Sequence, residues 1–150
     1  MLLSAVLFIH ILAAIVAVGF NVSYAVWIIR ARRDPTHTAF ALKGVKFIDD
    51  RIANPAYGVL LLTGLLMMLI GHYSITTLWI DIALILFVVL ILVAAVVYTP
   101  ALREQVKLAE AGDTSSDAFA RLGRRGQIAG QALAGIVLVI LAMMVFKPTI

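Results

Sequence analysis

The side chains in this sequence best suited to hold a metal or cofactor are its three histidines and five methionines. With no cysteine, thiolate metal sites, disulfides and cysteine nucleophiles are excluded. His10 is the one ionisable group set deep within an apolar stretch. It lies nine residues from Met1, about 13 Å along a helix axis. Ala14, Ala17, Asn21 and Tyr24 fall on its face at helical spacing, and Asn21 is close to three turns away, so imidazole and amide align. An imidazole surrounded by hydrocarbon costs free energy. Ligand or proton work is therefore the first reading of His10, and a single interhelical hydrogen bond the second.

A second constellation is positional. Met67, Met68, Met143 and Met144 lie towards the ends of apolar stretches that share one side with Met1, and His72 is one turn beyond Met68. Thioethers with imidazole suit Cu(I), which makes His10, His72, Met68 and Met144 a candidate metal set. Adjacent methionines point about 100° apart on a helix, so both members of a pair do not face one ion, and methionine is also ordinary core filler. Catalytic arrangements are otherwise missing: the apolar stretches hold no carboxylate pair, no Ser/His/Asp spacing and no phosphate-cradling glycine loop. Whether the chain is an enzyme is left open. His37, beside Pro35, reads as a solvated residue.

The elements that carry these residues follow from where the charges are. The chain is 63% hydrophobic and 13% charged, with a mean hydropathy of +1.08; soluble domains run nearer half apolar and a quarter charged. Residues 1–29, 52–80, 82–102 and 126–146 contain no Asp, Glu, Lys or Arg. Each run is long enough for one helix across a hydrocarbon layer of about 30 Å, and none is long enough for two. The expectation is an all-α, polytopic four-helix membrane bundle forming a single domain over 1–150, with spans at about 2–29, 55–71, 79–99 and 126–146. Secreted and nucleic-acid-binding classes are excluded despite a pI near 9.8.

Eleven of the twelve Lys and Arg fall in residues 30–51 and 103–125. Short basic loops stay on the cytoplasmic side, which puts both termini and the Gly71–Leu78 turn outside. Met1-Leu2-Leu3-Ser4 has no basic start, so the first segment is expected to stay as a helix instead of being cleaved as a signal.

Along the chain, Asp34-Pro35-Thr36 predicts a helix start. Ala41, Val45, Ile48 and Ile52 then form the inner stripe of a short amphipathic helix leading into the second span, with a kink or restart at Asn54-Pro55. Gly71-His72-Tyr73-Ser74 reads as the outer turn. Asp81 suits the positive end of the third helix. Past Pro100, Ala101–Ala111 is a helical extension with a Glu104/Lys107 pair, and Gly112–Ser116 is a turn. The fourth helix starts near Ser116 or Asp117 and ends before Lys147-Pro148. A stripe of Tyr57, Leu61, Gly64, Met68 and Gly71, with Thr63 beside it, matches the His10 face. Gly126, Gly130 and Ala134, with Gln127 and Gln131 one residue round, read as helix-packing surface.

Phe8-Ile9-His10-Ile11-Leu12-Ala13-Ala14-Ile15-Val16-Ala17-Val18-Gly19 resembles the first-helix pattern of a superfamily of small bacterial membrane proteins. It includes copper resistance protein D, the membrane protoporphyrinogen oxidase and several families of predicted integral membrane proteins of unknown function. Pro55 through Thr63-Gly64 looks like the second helix of this group, and Met143-Met144-Val145-Phe146-Lys147-Pro148 is similar to the close of some members. The chain departs from the oxidase pattern: Val18 stands where a Trp is often found, and the third helix has no lysine. The resemblance therefore implies one of the unknown-function families, in a bacterial cytoplasmic membrane. It also implies haem as a cofactor, with His10 as one axial ligand, Asn21 on the same face, and Met68, His72 or the His10 of a second copy as the other ligand. Copper handling at the outer face, through His10, His72, Met68 and Met144, is the alternative. A third reading is a non-enzymatic subunit or assembly factor. The expected partners are the lipid bilayer and either further copies of the chain or another membrane protein.

Overall fold

A computed structural model describes residues 1–72 and 77–148, and all regular structure among them is helical. Helix α1 is Leu2–Arg33, α2 Thr38–Ile48, α3 Asn54–Ile70, α4 Leu78–Val93, α5 Thr99–Glu110 and α6 Asp117–Phe146. A 3₁₀ turn at Pro35–His37 precedes α2. Widened π turns at Asp49–Ala53 and Ala94–Tyr98 weld α2 to α3 and α4 to α5. The result is four continuous helical rods, Leu2–Arg33, Thr38–Ile70, Leu78–Glu110 and Asp117–Phe146, each long and apolar enough to cross a membrane. Tyr73 and Ser74 of the expected outer turn lie outside the described residues.

Rods of 30 to 33 residues measure about 45–50 Å, against a hydrocarbon layer of about 30 Å. One end of each must project. The projecting end is the one that carries the basic connections, here called the basic end; the opposite, terminal end carries Met1, Lys147, the end of α3 at Ile70 and the start of α4 at Leu78. Helices α2 and α5 lie wholly at the basic end, where α2 packs on α1 and α5, and α5 on α6. The core forms there, around Tyr24, Leu42, Val45, Tyr98, Leu102 and Val106. Val45 is 0% exposed. Lys43 bridges to Glu110 at 2.8 Å across the α2–α5 seam.

Towards the terminal end the rods pack in two pairs, α1 on α3 and α4 on α6. Phe8, Ile15, Leu69, Leu138 and Phe146 point outward there. In water such a surface would be untenable; against acyl chains it is the expected one.

Both π turns have the same local cause. Each ends two residues before a proline, Pro55 or Pro100. Proline has no N–H and its ring crowds the carbonyl four residues back, here Arg51 or Val96. Widening that turn moves the carbonyl aside and lets the helix run on. The sequence pattern anticipated a kink at Asn54-Pro55 but not this form of it. The inner stripe was expected to run through Ile48 and Ile52, whereas the buried positions are Asp49 and Ala53, with Ile48 and Ile52 only half-buried.

Two further expectations need adjusting. Asp34 caps the 3₁₀ turn, accepting from the Thr36 backbone and hydroxyl, and α2 starts at Thr38 with no side-chain cap. The hydrogen bonds from Thr36 and then His37 hold the exposed Asp34 carboxyl below its ordinary range. Gln131 is exposed and makes no interhelical bond among the described residues, whereas Gln127 accepts from Arg32 at 2.8 Å. Ser116 caps α6 through Phe119 N at 3.2 Å, and Lys107 pairs with Glu104 at 2.7 Å, both as the spacing predicts.

Candidate functional site: a polar ladder between the first two rods

The α1 face of Val6, Ala13, Ala17 and Tyr24 is buried. Small residues at helical spacing let α3 approach closely. Polar groups on this seam meet at three levels, and the two within the span satisfy groups that lipid would leave bare.

Nearest the terminal end, His10 Nδ1 lies 2.8 Å from Thr63 Oγ1. A threonine hydroxyl has one hydrogen, and the Val59 carbonyl, 2.6 Å away, accepts it. Assigning that hydrogen to the backbone makes Thr63 Oγ1 an acceptor towards His10, an assignment that puts the imidazole proton on Nδ1 and the lone pair on Nε2. That tautomer follows from the hydrogen-bond network. Gly64 faces the ring: a Cβ built on it would stand 3.4 Å from His10 Cε1, at the near edge of van der Waals contact. The His10 face and the Gly64 stripe thus meet as the helical spacing predicts.

One level down, Asn21 donates to the Ala17 carbonyl at 3.0 Å and to the Tyr57 hydroxyl at 2.5 Å. Tyr57 meets Phe87 of α4 edge to face, with ring centroids 6.1 Å apart. Asn21 therefore ties α1 to α3.

At the basic end, Asp49 is 6% exposed. Tyr24 donates to its Oδ1 at 3.4 Å and Asn54 to its Oδ2 at 3.5 Å, both long. Lys46 pairs with Asp50 and leaves Asp49 without an ion pair among the described residues. Asp49 lies below the span, on the projecting part of its rod. Burial and then the neighbouring Asp50 charge push its carboxyl up to about 6, against the weaker opposing pull of Tyr24, Asn54 and Lys46. Tyr98 closes the cluster, its ring 3.8 Å from where a Cβ on Gly130 would be. Both π turns thus contribute to one buried polar cluster. Sequence reasoning passed over Asp49; the available signal was an Asp-Asp pair at the mouth of a charge-free run, with one lysine placed to neutralise only one of them.

The remaining candidate ligands stand apart. Met68 is one turn past Gly64 on the same α3 stripe and is half-buried. Met144 is on α6, in the other helix pair. His72 is exposed, with a left-handed φ of 52°, in the turn closing α3. Among the described residues no three His, Asp or Glu side chains gather within reach of one metal ion. His37 is solvated, 2.7 Å from Asp34.

Residues 4–148 match the family model described as predicted integral membrane protein (DUF2269). The chain belongs to that family. The match takes in all four rods, with His10, Thr63 and Asp49 inside it. Neither the curated proteins nor the solved structures searched gave a match.

Proposed function

We propose that this integral membrane protein binds haem with His10 as an axial ligand through Nε2, in a redox or haem-handling role. The observation that supports this reading is the His10–Thr63 bond, with the Thr63 hydrogen committed to Val59. Ligating histidines characteristically give their second N–H to a fixed acceptor, which sets the tautomer and raises the basicity of the free nitrogen. His10 meets that requirement. Gly64 keeps the adjoining wall low, so the imidazole plane has room. Met68, one turn beyond Gly64, or His10 of a second copy would supply a second ligand. Bound haem would supply one-electron chemistry, tuned by its axial ligands and the dielectric around it. The chain's own residues hold the imidazole tautomer, exclude water from the α1–α3 seam and keep His10 in reach of the terminal side.

The test is the absorption spectrum and metal content of protein purified after expression with haem supplied. A Soret band that disappears in His10→Ala supports the reading, and an unchanged band in that variant refutes it. Copper retained by the wild type and lost in a His10→Ala/His72→Ala double variant would favour copper handling instead. Co-purification with another membrane protein at fixed stoichiometry, with no cofactor, would favour the subunit reading.

A further inference from the structure

Apart from His10, the basic end has a feature that membrane insertion alone leaves unexplained. Arg121, Arg124 and Arg125 fall on one face of α6 at i, i+3, i+4 spacing. None takes part in an ion pair or hydrogen bond among the described residues, although Asp117 is one turn before Arg121. The lysines of the basic end behave differently: Lys43, Lys46 and Lys107 each hold a carboxylate. The same α6 face continues into the bilayer through Ile128 and Ala132. Opposite it stand Val93 of α4 and Val97 of the second π turn, one turn apart. These walls and the aliphatic stems of the three arginines line an open, apolar groove of about 480 Å³, with the guanidinium groups beyond its mouth.

Depth decides what the groove can take. From Arg125 to Phe146, α6 runs about 31 Å, a full hydrocarbon thickness. The arginines therefore stand at headgroup level, and Ile128 to Ala132 within roughly the first 10 Å of acyl chain. Guanidinium groups pair with phosphate in fork geometry, and basic pockets between membrane helices suit anionic headgroups.

We propose that the groove between α4 and α6 is a binding site for an anionic phospholipid, its phosphate held by Arg121, Arg124 and Arg125 and one acyl chain lying between Val93/Val97 and Ile128/Ala132. A free phosphate would use the arginines alone; the apolar walls call for a lipid.

Native mass spectrometry of the full chain in detergent, titrated with phosphatidylglycerol or phosphatidylcholine, tests it. At about fivefold per arginine, an Arg121→Gln/Arg124→Gln/Arg125→Gln variant should lose roughly a hundredfold in phosphatidylglycerol affinity. An Arg30→Gln/Arg33→Gln/Arg103→Gln control, with the same net-charge change, should lose less than about threefold on the screened, diffuse contribution of distant charges. Ala132→Phe keeps every charge and fills the groove, so it should also lose phosphatidylglycerol; this arm stands even if the triple variant does not fold. Equal losses in the two triple variants, equal binding of phosphatidylcholine, displacement of phosphatidylglycerol by millimolar inorganic phosphate, or unchanged binding by Ala132→Phe would each overturn the proposal.

Discussion

Replacing Asp49 by asparagine should stabilise the protein at neutral pH and remove part of its pH dependence. The Asp49 carboxyl is pushed up to about 6 in the folded protein, from an ordinary value of 3.8. Between those values the folded chain holds a proton that the unfolded chain has released. The stabilisation is therefore complete below about pH 4, is lost as the pH rises through about 6, and stays lost above it. The loss amounts to about 3 kcal/mol at most. Asparagine has the same shape, still accepts from Tyr24 and cannot ionise. Asp49→Asn should match the wild type near pH 4 and exceed it at pH 7.5, by about 6–12 °C in Tm for a chain of this size. Because other carboxylates titrate in the same range, the readout is the difference between variant and wild type. Thermal melts in detergent, followed by tryptophan fluorescence at several pH values, measure it. A second variant, Asp50→Asn, removes the neighbouring charge and should raise the pH 7.5 Tm by a smaller amount. A less stable Asp49→Asn protein at pH 7.5, or a difference that shrinks as the pH rises, would refute the reasoning and mean that the ionised carboxylate is the stabilised form.

Thr63→Val removes the acceptor for His10 Nδ1 at nearly constant volume and should weaken haem binding about 10–100-fold, read by haem titration. Gly64→Val places branched carbons against the imidazole ring and should abolish the Soret band while the far-UV helical signal is kept. Val45→Ala, at a position with no exposure, should cost about 1–3 kcal/mol and lower Tm at every pH. Glu110→Gln breaks the Lys43 bridge, whose partners are both solvated, and should change stability by less than about 1 kcal/mol in a detergent melt.

The helical rods were legible because charge-free runs and hydrocarbon thickness share one length scale. The seam between α1 and α3 was legible because a 3.6-residue repeat puts His10 and Asn21 on one face and Tyr57 and Gly64 on another, and the structure joins them. Periodicity failed at residues 48–53. An apolar stripe selects Ile48 and Ile52, whereas four-residue steps on from Val45 bury Asp49 and Ala53, the latter inside the turn that Pro55 widens. The same widening before Pro100 brings Tyr98 to the Asp49 cluster. In the sequence Arg124 and Arg125 are only part of the charge that sets topology; their bearing on a groove depends on which face α4 covers, a property of packing that spacing along one helix does not contain.

The central claim is that His10 offers Nε2 as a ligand to haem. The most direct measurement is the absorption spectrum of the detergent-purified wild type beside His10→Ala, both expressed with haem supplied. A Soret band near stoichiometric in the wild type and absent from a folded His10→Ala protein is the predicted result. A wild type with no Soret band, or one whose band survives the loss of His10, would contradict it.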